Sequence, residues 1–281
     1  MDEWREKSIR LIIDTAIKSF ADGFELRHNS EVDDPNGTIN SKKNNCFISV
    51  LGDEFIFYSA FVRSFDSSFG NLLENIGNQI AKFSYKTDRI IHSYILTEQT
   101  QHISNLLDKY EDHTCKPEKS HYESFFVVQP KDTTSFKTQH VCDNWFYDEN
   151  TKTHYLVELK AGGDLDNKKA KSEKLALLKE YFMLKNITPT DQKILIYFAT
   201  AYNKFGENNS WHQANVERFF SKDELLIGKD YWNFVCNDEN GFDIVLDQYK
   251  ISSQYIKHSL TRIRNKYGCY IQPLACIFFA R

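Results

Sequence analysis

The segment 192–200, QKILIYFAT, is a nearly continuous run of apolar residues. Such a run is typical of a central strand that is buried on both faces of a sheet. It follows a lysine-rich helix predicted over about 166–185, and that helix follows a strand predicted over 153–160, THYLVELK. Helices and strands that alternate in this way predict an α/β fold, in which helices pack against a sheet.

Weaker periodic patterns surround this α/β centre. Apolar residues recur at helical spacing near the start of the chain, and the Asp22-Gly23 pair is expected to end the first helix. The polar stretch 29–45, which contains Pro, Gly and five Asn, predicts an exposed loop. The other predictions are helices at 3–21, 53–64, 67–83, about 97–110 and 249–266, strands at 123–128 and 139–147, and a possible final strand at 269–279.

Length and composition favour a protein with a substantial core. With 281 residues, of which 41% are hydrophobic, we expect a single domain over 1–281. No run approaches the roughly eighteen apolar residues that a membrane span needs, and the charged N-terminus lacks a secretory apolar stretch, so we expect a cytoplasmic protein. Six cysteines without a C-x-x-C pair argue against a disulfide framework or structural zinc.

The formal net charge of −4 argues mildly against a chain that covers itself in nucleic acid, because phosphate binding depends on Lys and Arg. The distribution is more informative than the sum. Residues 250–281 contain no Asp or Glu, and their Lys and Arg side chains give +6. This run could form a basic face for a duplex, although a solvated charged surface is the more usual explanation.

The strand 153–160 carries the most specific chemical pattern. Side chains alternate along a strand, so Glu158 and Lys160 share one face at its C-terminal end, while the other face is wholly apolar. Gly162 and Gly163 follow shortly afterwards, and their missing side chains permit a close backbone approach to a ligand. The tripeptide (Asp or Glu)-x-Lys occurs three times in the chain, so this context has to select Glu158-Leu159-Lys160.

The preceding strand supplies a second carboxylate. The polar segment 148–152 has the composition of a hairpin connection. If its turn is centred between Asn150 and Thr151, paired residue numbers add up to 301, which places Asp143 opposite Glu158 with Cβ atoms ~5 Å apart. A shift of one residue in the register would break this arrangement.

Two carboxylates so close together would repel each other unless a cation lay between them. Oxygen ligands suit a hard ion such as Mg²⁺, which Asp143, Glu158 and the Leu159 carbonyl could hold. Lys160 would position the attacking water or stabilise the charge that develops on the phosphate. The alternative is that Asp143 caps a strand end while Glu158 and Lys160 form an exposed ion pair.

These residues resemble a known nuclease pattern. Asp143, fourteen intervening residues and Glu158-Leu159-Lys160 are similar to the PD-(D/E)XK superfamily, in which proline often precedes the Asp; Cys142 takes that place here. More of the chain looks like type II restriction endonucleases of the TdeIII-like family, whose members are associated with the sequence GGNCC. The segments that carry this likeness are 63–76, 158–182 and 223–235, within a resemblance that spans roughly 60–235.

The resemblance implies a restriction-endonuclease-like mixed β-sheet flanked by helices, with helical N- and C-terminal additions. It also implies that 1–281 form one PD-(D/E)XK nuclease domain that binds Mg²⁺. Glu74, on an N-terminal helix, matches the position of a glutamate that joins the metal site through water, although a solvated helix glutamate is an equal alternative. A homodimer acting on double-stranded DNA is expected, since two-fold protein symmetry mirrors a two-fold DNA site.

Two segments are candidates for DNA contact. The N-terminus of helix 166–185 could receive a phosphate, assisted by Lys168, Lys169 and Lys171, or these lysines could form an ordinary solvated face. The segment 201–215 could read bases, or it could be a plain surface loop. Two other functions also stay open: a structure-directed repair or recombination nuclease, and a non-catalytic nucleic-acid-binding protein.

Overall fold

The structure is a computed structural model, and it describes residues 1–127 and 138–271. Its strands are β1 (Lys86–Ser93), β2 (Thr138–Asp148), β3 (Thr153–Lys160), β4 (Lys193–Thr200) and β5 (Leu225–Ile227). Its α-helices are α1 (Glu3–Asp33), α2 (Thr38–Ser41), α3 (Cys46–Ser49), α4 (Asp53–Ala81), α5 (Thr97–Glu111), α6 (Ser120–Glu123), α7 (Asn167–Lys185), α8 (Ala214–Glu217), α9 (Lys229–Cys236) and α10 (Gly241–Ile271).

The strands form one mixed sheet in the order β1-β2-β3-β4-β5. β1, β2 and β3 pair antiparallel, whereas β3, β4 and β5 pair parallel. β4 is hydrogen-bonded on both sides, and its Ile196 and Phe198 are fully buried, as the apolar run predicts. A mixed sheet flanked by helices confirms the predicted restriction-endonuclease-like α/β fold with helical additions.

Helix α7 connects the parallel strands β3 and β4, and its ends agree with the sequence prediction. Asp166 caps its N-terminus, because the Asp166 carboxylate accepts a hydrogen bond from the backbone N–H of Lys169 at 2.8 Å. Leu177, Leu178 and Phe182 of α7 belong to the core that also contains residues of β3 and β4. This packing fixes α7 against the face of the sheet that carries Glu158.

The chain divides into two compact units. One contains Gly77–Phe242 and therefore the whole sheet; the other contains Met1–Ile76 and the residues from Asp243 onward. The second unit has its own aromatic core, which includes Phe24 and Phe57. The expectation of a single domain over 1–281 stays a prediction.

The N-terminal helices are longer than the sequence pattern predicts. The expected stop at Asp22-Gly23 is wrong, because α1 continues to Asp33. Phe24 lies almost fully buried with its ring 5.5 Å from that of Phe65. Burial of such a side chain stabilises the helix by more than the ~1 kcal/mol that a helical glycine costs. The helices predicted at 53–64 and 67–83 likewise form one helix, α4.

Two strand predictions need correction, and two strands, β1 and β5, were not predicted. No strand forms over 123–127, while residue 128 lies outside the described residues; the Lys185 ammonium donates to the carbonyls of Glu123 and Phe125, at 2.7 and 3.2 Å. β1 was not predicted, because it is an exposed edge strand with little alternation. The possible strand at 269–279 is wrong up to Ile271, where α10 is still helical, and its remainder lies outside the described residues.

Two further structural findings concern hydropathy and cysteine. Among residues 1–127 and 138–271, no helix is both long enough and apolar enough to cross a lipid bilayer. In the described part of the chain Cys46, Cys115, Cys142 and Cys236 are free thiols, and the last two are buried. Burial, together with the negative charge of nearby carboxylates, raises the pKa of the Cys142 thiol to about 12, so this side chain acts as a small core residue.

Candidate active site

The predicted register of the β2–β3 ribbon is confirmed close to the turn. Trp145 pairs with Leu156, and the next three pairs follow the same register down to Asp148 and Thr153. Beyond Trp145 strand β2 bulges, since its pairing with β1 shifts by two residues there. Asp143 lies within this bulge and is exposed, so its position directly opposite Glu158 stays a prediction.

A buried amide holds the bulged strand to its neighbour. The Asn144 side chain is 2% exposed and donates a hydrogen bond to the Val157 carbonyl at 3.1 Å. The residues on either side of this bond are Asp143 on β2 and Glu158 on β3. The bond therefore keeps the Asp143 backbone beside the end of β3, although regular ladder pairing has stopped.

Glu158 and Lys160 form a partly buried contact and not the exposed ion pair of the alternative explanation. Glu158 is 7% exposed, and the Lys160 ammonium donates a hydrogen bond to its carboxylate. The same ammonium lies 3.0 Å from Oε1 of Glu173 on α7. Lys160 is thus held between a carboxylate of the sheet and a carboxylate of the helix that covers it.

The other two (Asp or Glu)-x-Lys tripeptides have structural roles. Asp166 is the N-cap of α7. Asp191 pairs with Lys152 at 2.6 Å, and both side chains are more than half exposed. Of the three tripeptides, Glu158-Leu159-Lys160 combines burial with direct contact between its own acid and its own lysine, which is the arrangement that perturbs proton affinity.

The pKa values of both Glu158 and Lys160 are shifted upwards in this contact. Burial raises the pKa of Glu158 to about 8, and the nearby carboxylates of Asp143 and Glu173 act in the same direction against the lowering effect of Lys160. For Lys160, burial acts to lower the pKa, but the charges and hydrogen bonds of Glu158 and Glu173 raise it overall. Lys160 therefore stays an ammonium ion, while Glu158 ionises readily once a further positive charge is brought close.

Sequence analysis missed two carboxylates and a histidine beside these residues. Glu180 of α7 is 6% exposed; burial, with the charges of Glu158, Asp143 and Glu173, raises its pKa to about 8. His140 Nε2 lies 3.1 Å from Glu180 Oε1, and burial lowers the pKa of His140. Both pKa shifts favour the uncharged forms, which can share a hydrogen bond at this distance.

The glycine pair after β3 approaches other parts of the protein closely, and its predicted approach to a ligand stays a prediction. A Cβ atom at Gly162 would lie 2.4 Å from the Tyr202 hydroxyl, and one at Gly163 would lie 2.6 Å from Cγ2 of Thr200. Gly163 also has φ of +70°, which L side chains rarely adopt. The glycines therefore lie close to the last residue of β4 and to Tyr202, which follows it.

The predicted DNA-binding lysines of α7 differ in their surroundings. Lys168 and Lys169 are exposed. Lys171 instead forms ion pairs with Asp108 and Glu111 of α5, at 2.8 and 2.5 Å. Lys168 and Lys169 are therefore better placed than Lys171 to meet a phosphate, and DNA contact by all three stays a prediction.

The predicted base-reading segment and Glu74 lie on a loop and on a helix, respectively. Segment 202–213 is free of helix and strand, and Asn203 within it bonds to Glu207 and to the Asn209 carbonyl, both at 2.7 Å. Its loop character is confirmed, whereas base reading stays a prediction. Glu74 lies half-buried on α4, in the unit that does not contain the sheet, and its role also stays a prediction.

The basic run near the C-terminus is partly neutralised. Arg262 lies 2.6 Å from Glu25, and Lys266 lies 2.6 Å from Asp33, so both cations pair with α1. Lys250 pairs with Asp247 at 3.4 Å. The run is therefore less available to a duplex than its formal charge of +6 suggests.

The donor set fits an ion that needs few protein ligands. Within the described parts of the chain, no group of three or more His, Cys, Asp or Glu side chains is arranged to hold a metal ion. Mg²⁺ usually binds through one or two carboxylates and completes its coordination with water and substrate phosphates. Asp143 and Glu158 are carboxylates of this kind, and metal binding by them and by the Leu159 carbonyl stays a prediction.

The mixed sheet and its flanking helices place the chain among proteins of the restriction-endonuclease-like α/β fold. A family model described as type II restriction endonuclease, HinfI, matches residues 5–253, which is most of the chain. The chain belongs to this family and is therefore a restriction endonuclease. The TdeIII-like assignment is not confirmed, because the matching model is that of HinfI. A comparison with curated proteins found no match.

Proposed function

We propose that this chain is a Mg²⁺-dependent type II restriction endonuclease that acts as a homodimer and cuts both strands of double-stranded DNA at a short specific sequence. The observation that carries the proposal is the contact of the buried Glu158 with the partly exposed Lys160, beside the bulge that bears Asp143. Membership of the HinfI family supports DNA as the substrate. A restriction enzyme acts where DNA enters the cell, so the proposed location is the cytoplasm.

In this proposal each site residue has a distinct role. Asp143, Glu158 and the Leu159 carbonyl would hold the metal ion. When bound, the ion polarises the scissile phosphate and lowers the pKa of a water molecule. Lys160 positions that water or stabilises the charge that develops on the phosphate.

Glu173 is the residue that would orient Lys160. Because the Lys160 ammonium lies between Glu158 and Glu173, it keeps one carboxylate partner when Glu158 turns towards a metal ion. A lysine held from the helix side loses less freedom when DNA binds than one that must be ordered at that moment. Glu173 is thus proposed as a positioning residue for the catalytic lysine.

The proposal assigns DNA contacts to the surface around the start of α7. Lys168, Lys169 and Lys171 would neutralise phosphates, which positions the duplex without reading its sequence. The segment 201–215 would read base edges. A GGNCC-like site was suggested by the TdeIII-like resemblance alone, so a digest of sequenced DNA has to identify the site.

The decisive experiment is incubation of the purified chain with unmethylated plasmid DNA and Mg²⁺. Discrete fragments whose ends map to one short sequence would support a type II restriction endonuclease. Smeared products, or cleavage only at branched or mismatched DNA, would favour a repair or recombination nuclease. No cleavage with any divalent ion, together with tight DNA binding, would favour the non-catalytic alternative.

A set of substitutions tests the site itself. Asp143→Asn, Glu158→Gln and Lys160→Met should each lower the cleavage rate by ~10³-fold or more, while DNA binding measured with Ca²⁺ is retained. Asp191→Asn is the matched control, because it removes the carboxylate of another Asp-x-Lys tripeptide that lies in an exposed ion pair. Normal cleavage by any of the three site variants would refute the assignment.

A further inference from the structure

One surface of the unit that contains α1 exposes an unusual number of large apolar side chains. Between 43% and 82% of the residue is exposed at each of six positions, here called the apolar patch: Phe47, Val50, Leu51, Phe55, Tyr58 and Val62. Single exposed apolar residues are ordinary on protein surfaces. A contiguous group of this size usually marks an interaction site.

The apolar patch is contiguous because of how the chain turns into α4. Phe55, Tyr58 and Val62 follow one another at helical spacing on one face of α4. Lys42 donates a hydrogen bond to the Ser59 hydroxyl at 3.1 Å, so the segment that leads into α3 runs beside α4. Ile48 of α3 packs against the core that contains Ile56 and Phe57 of α4, so the neighbouring residues Phe47, Val50 and Leu51 lie near the start of that helix.

The opposite face of α4 is firmly packed, so the exposure of the apolar patch is not a consequence of a loosely placed helix. Phe57 is 2% exposed, and its ring stacks on that of Tyr267 with centroids 3.6 Å apart. Ile56 is buried in the same core. One face of α4 is therefore packed in the core, while a second apolar face is exposed to solvent.

The size of the apolar patch suits one half of a protein interface. With about 200 Å² for a whole aromatic side chain and about 100 Å² for an aliphatic one, the exposed area is roughly 500 Å². A standard interface buries about 800 Å² on each partner, of which a polar rim forms part. The apolar patch with a charged rim is thus large enough for a specific complex.

The rim of the apolar patch favours a second copy of this chain as the partner. Charges of both signs border the patch in the chain: Lys42 and Lys43 precede Phe47, Asp53 and Glu54 precede Phe55, and Lys43 is 3.2 Å from Asp53. A two-fold interface sets the same surface against itself, so a rim of one sign would repel, whereas a mixed rim can pair across the axis. The acidic pair also disfavours DNA or an anionic lipid surface as the partner.

We propose that the apolar patch is the contact surface of a two-fold symmetric dimer of this chain. The inference rests on the proposed function in one respect, since a dimer supplies one nuclease centre for each DNA strand. The surface itself is argued from its area, packing and charge. It is therefore tested without DNA or metal.

The experiment is sedimentation equilibrium of the full chain, compared with variants that place a charge in the interface. Native protein is expected to be a dimer at micromolar concentration. Phe47→Glu and Val50→Glu should weaken dimerisation by ~100-fold or more, because each buries an unpaired carboxylate at the two-fold contact. Phe126→Glu is the matched control: Phe126 is 81% exposed and Phe47 is 82% exposed, but Phe126 lies in the other unit.

Each result decides the matter. A native monomer at ~100 µM, or a dimer that Phe47→Glu weakens no more than the control does, overturns the inference. Unchanged thermal unfolding of the variants shows that a loss of dimer is not a loss of fold. A dimer that Phe47→Glu dissociates but that cuts no DNA leaves the surface in place and removes the proposed function. Cleavage by a native monomer removes the proposed dimer surface and leaves the nuclease activity in place.

Discussion

The free energy of unfolding should depend strongly on an ion pair that is fully buried in the unit with the sheet. Lys174 Nζ of α7 lies 2.5 Å from Glu224 Oε1, and neither side chain has any exposure. The ammonium also faces the rings of Tyr122 and Phe220, with centroids at 5.2 and 4.8 Å. Burial lowers the pKa of Lys174, and the charge of Glu224 opposes this effect.

The substitution Lys174→Met keeps the aliphatic stem and removes the ammonium. Glu224 would keep the Tyr122 hydroxyl at 2.8 Å and the Ser221 backbone N–H at 2.8 Å as donors, but its charge would have no cation. Removal of one partner from a buried pair typically costs about 3–5 kcal/mol. Because these donors remain, we expect a loss of about 3 kcal/mol, which is a large share of the stability of an ordinary domain.

The assay is urea-induced unfolding, followed by circular dichroism at fixed pH. The double variant Lys174→Met with Glu224→Gln removes both charges and should recover about 2 kcal/mol of the loss. Lys152→Met, which breaks the exposed pair with Asp191, is the control and should have little effect. A loss under about 1 kcal/mol for Lys174→Met, or a double variant no more stable than the single one, would refute the reasoning.

Two further predictions concern the acidic site. Glu173→Gln should lower the single-turnover cleavage rate by ~10–100-fold with unchanged DNA affinity, because Lys160 loses its helix-side anchor; Glu149→Gln, in an exposed pair with Lys86, is the control. Without divalent ions, the free energy of unfolding should fall as pH rises from about 4.5 to about 8. The folded state holds Glu158 and Glu180 protonated where the unfolded state has released those protons, so a rise in stability over this range in urea titrations would contradict the assignment.

The β-ribbon could be predicted from sequence because strand alternation and the composition of the turn determine it. Strand alternation places Glu158 and Lys160 on one face, and the polar turn at 148–152 fixes the register that the pairing of Trp145 with Leu156 confirms. The bulge at Asp143 could not be predicted in the same way. It depends on how β2 pairs with β1, an edge strand whose own sequence carries little signal.

The carboxylates of α7 were missed because charged residues of a helix usually face solvent, whereas these are buried or partly buried. A helical pattern assigns Lys174 and Glu180 to solvent, yet the structure buries both almost completely. Glu173 and Glu180 are seven residues apart and so lie near one face of the helix, which is a signal that the sequence does contain. Which face meets β3 is decided by tertiary packing, and periodicity alone does not report it.

Helix α7 links the stability of the core to the geometry of the site. Its adjacent residues Glu173 and Lys174 form contacts with Lys160 and with Glu224, which are separate partners in the chain. Neighbouring positions on a helix point about 100° apart, so a rotation of α7 by one residue would break both contacts together. The buried ion pair therefore fixes the rotation of the helix that presents Glu173 to Lys160. A substitution at Lys174 should therefore also lower the cleavage rate, because it alters the placement of Glu173. This effect is indirect, since Lys174 lies in the core and contacts Glu224.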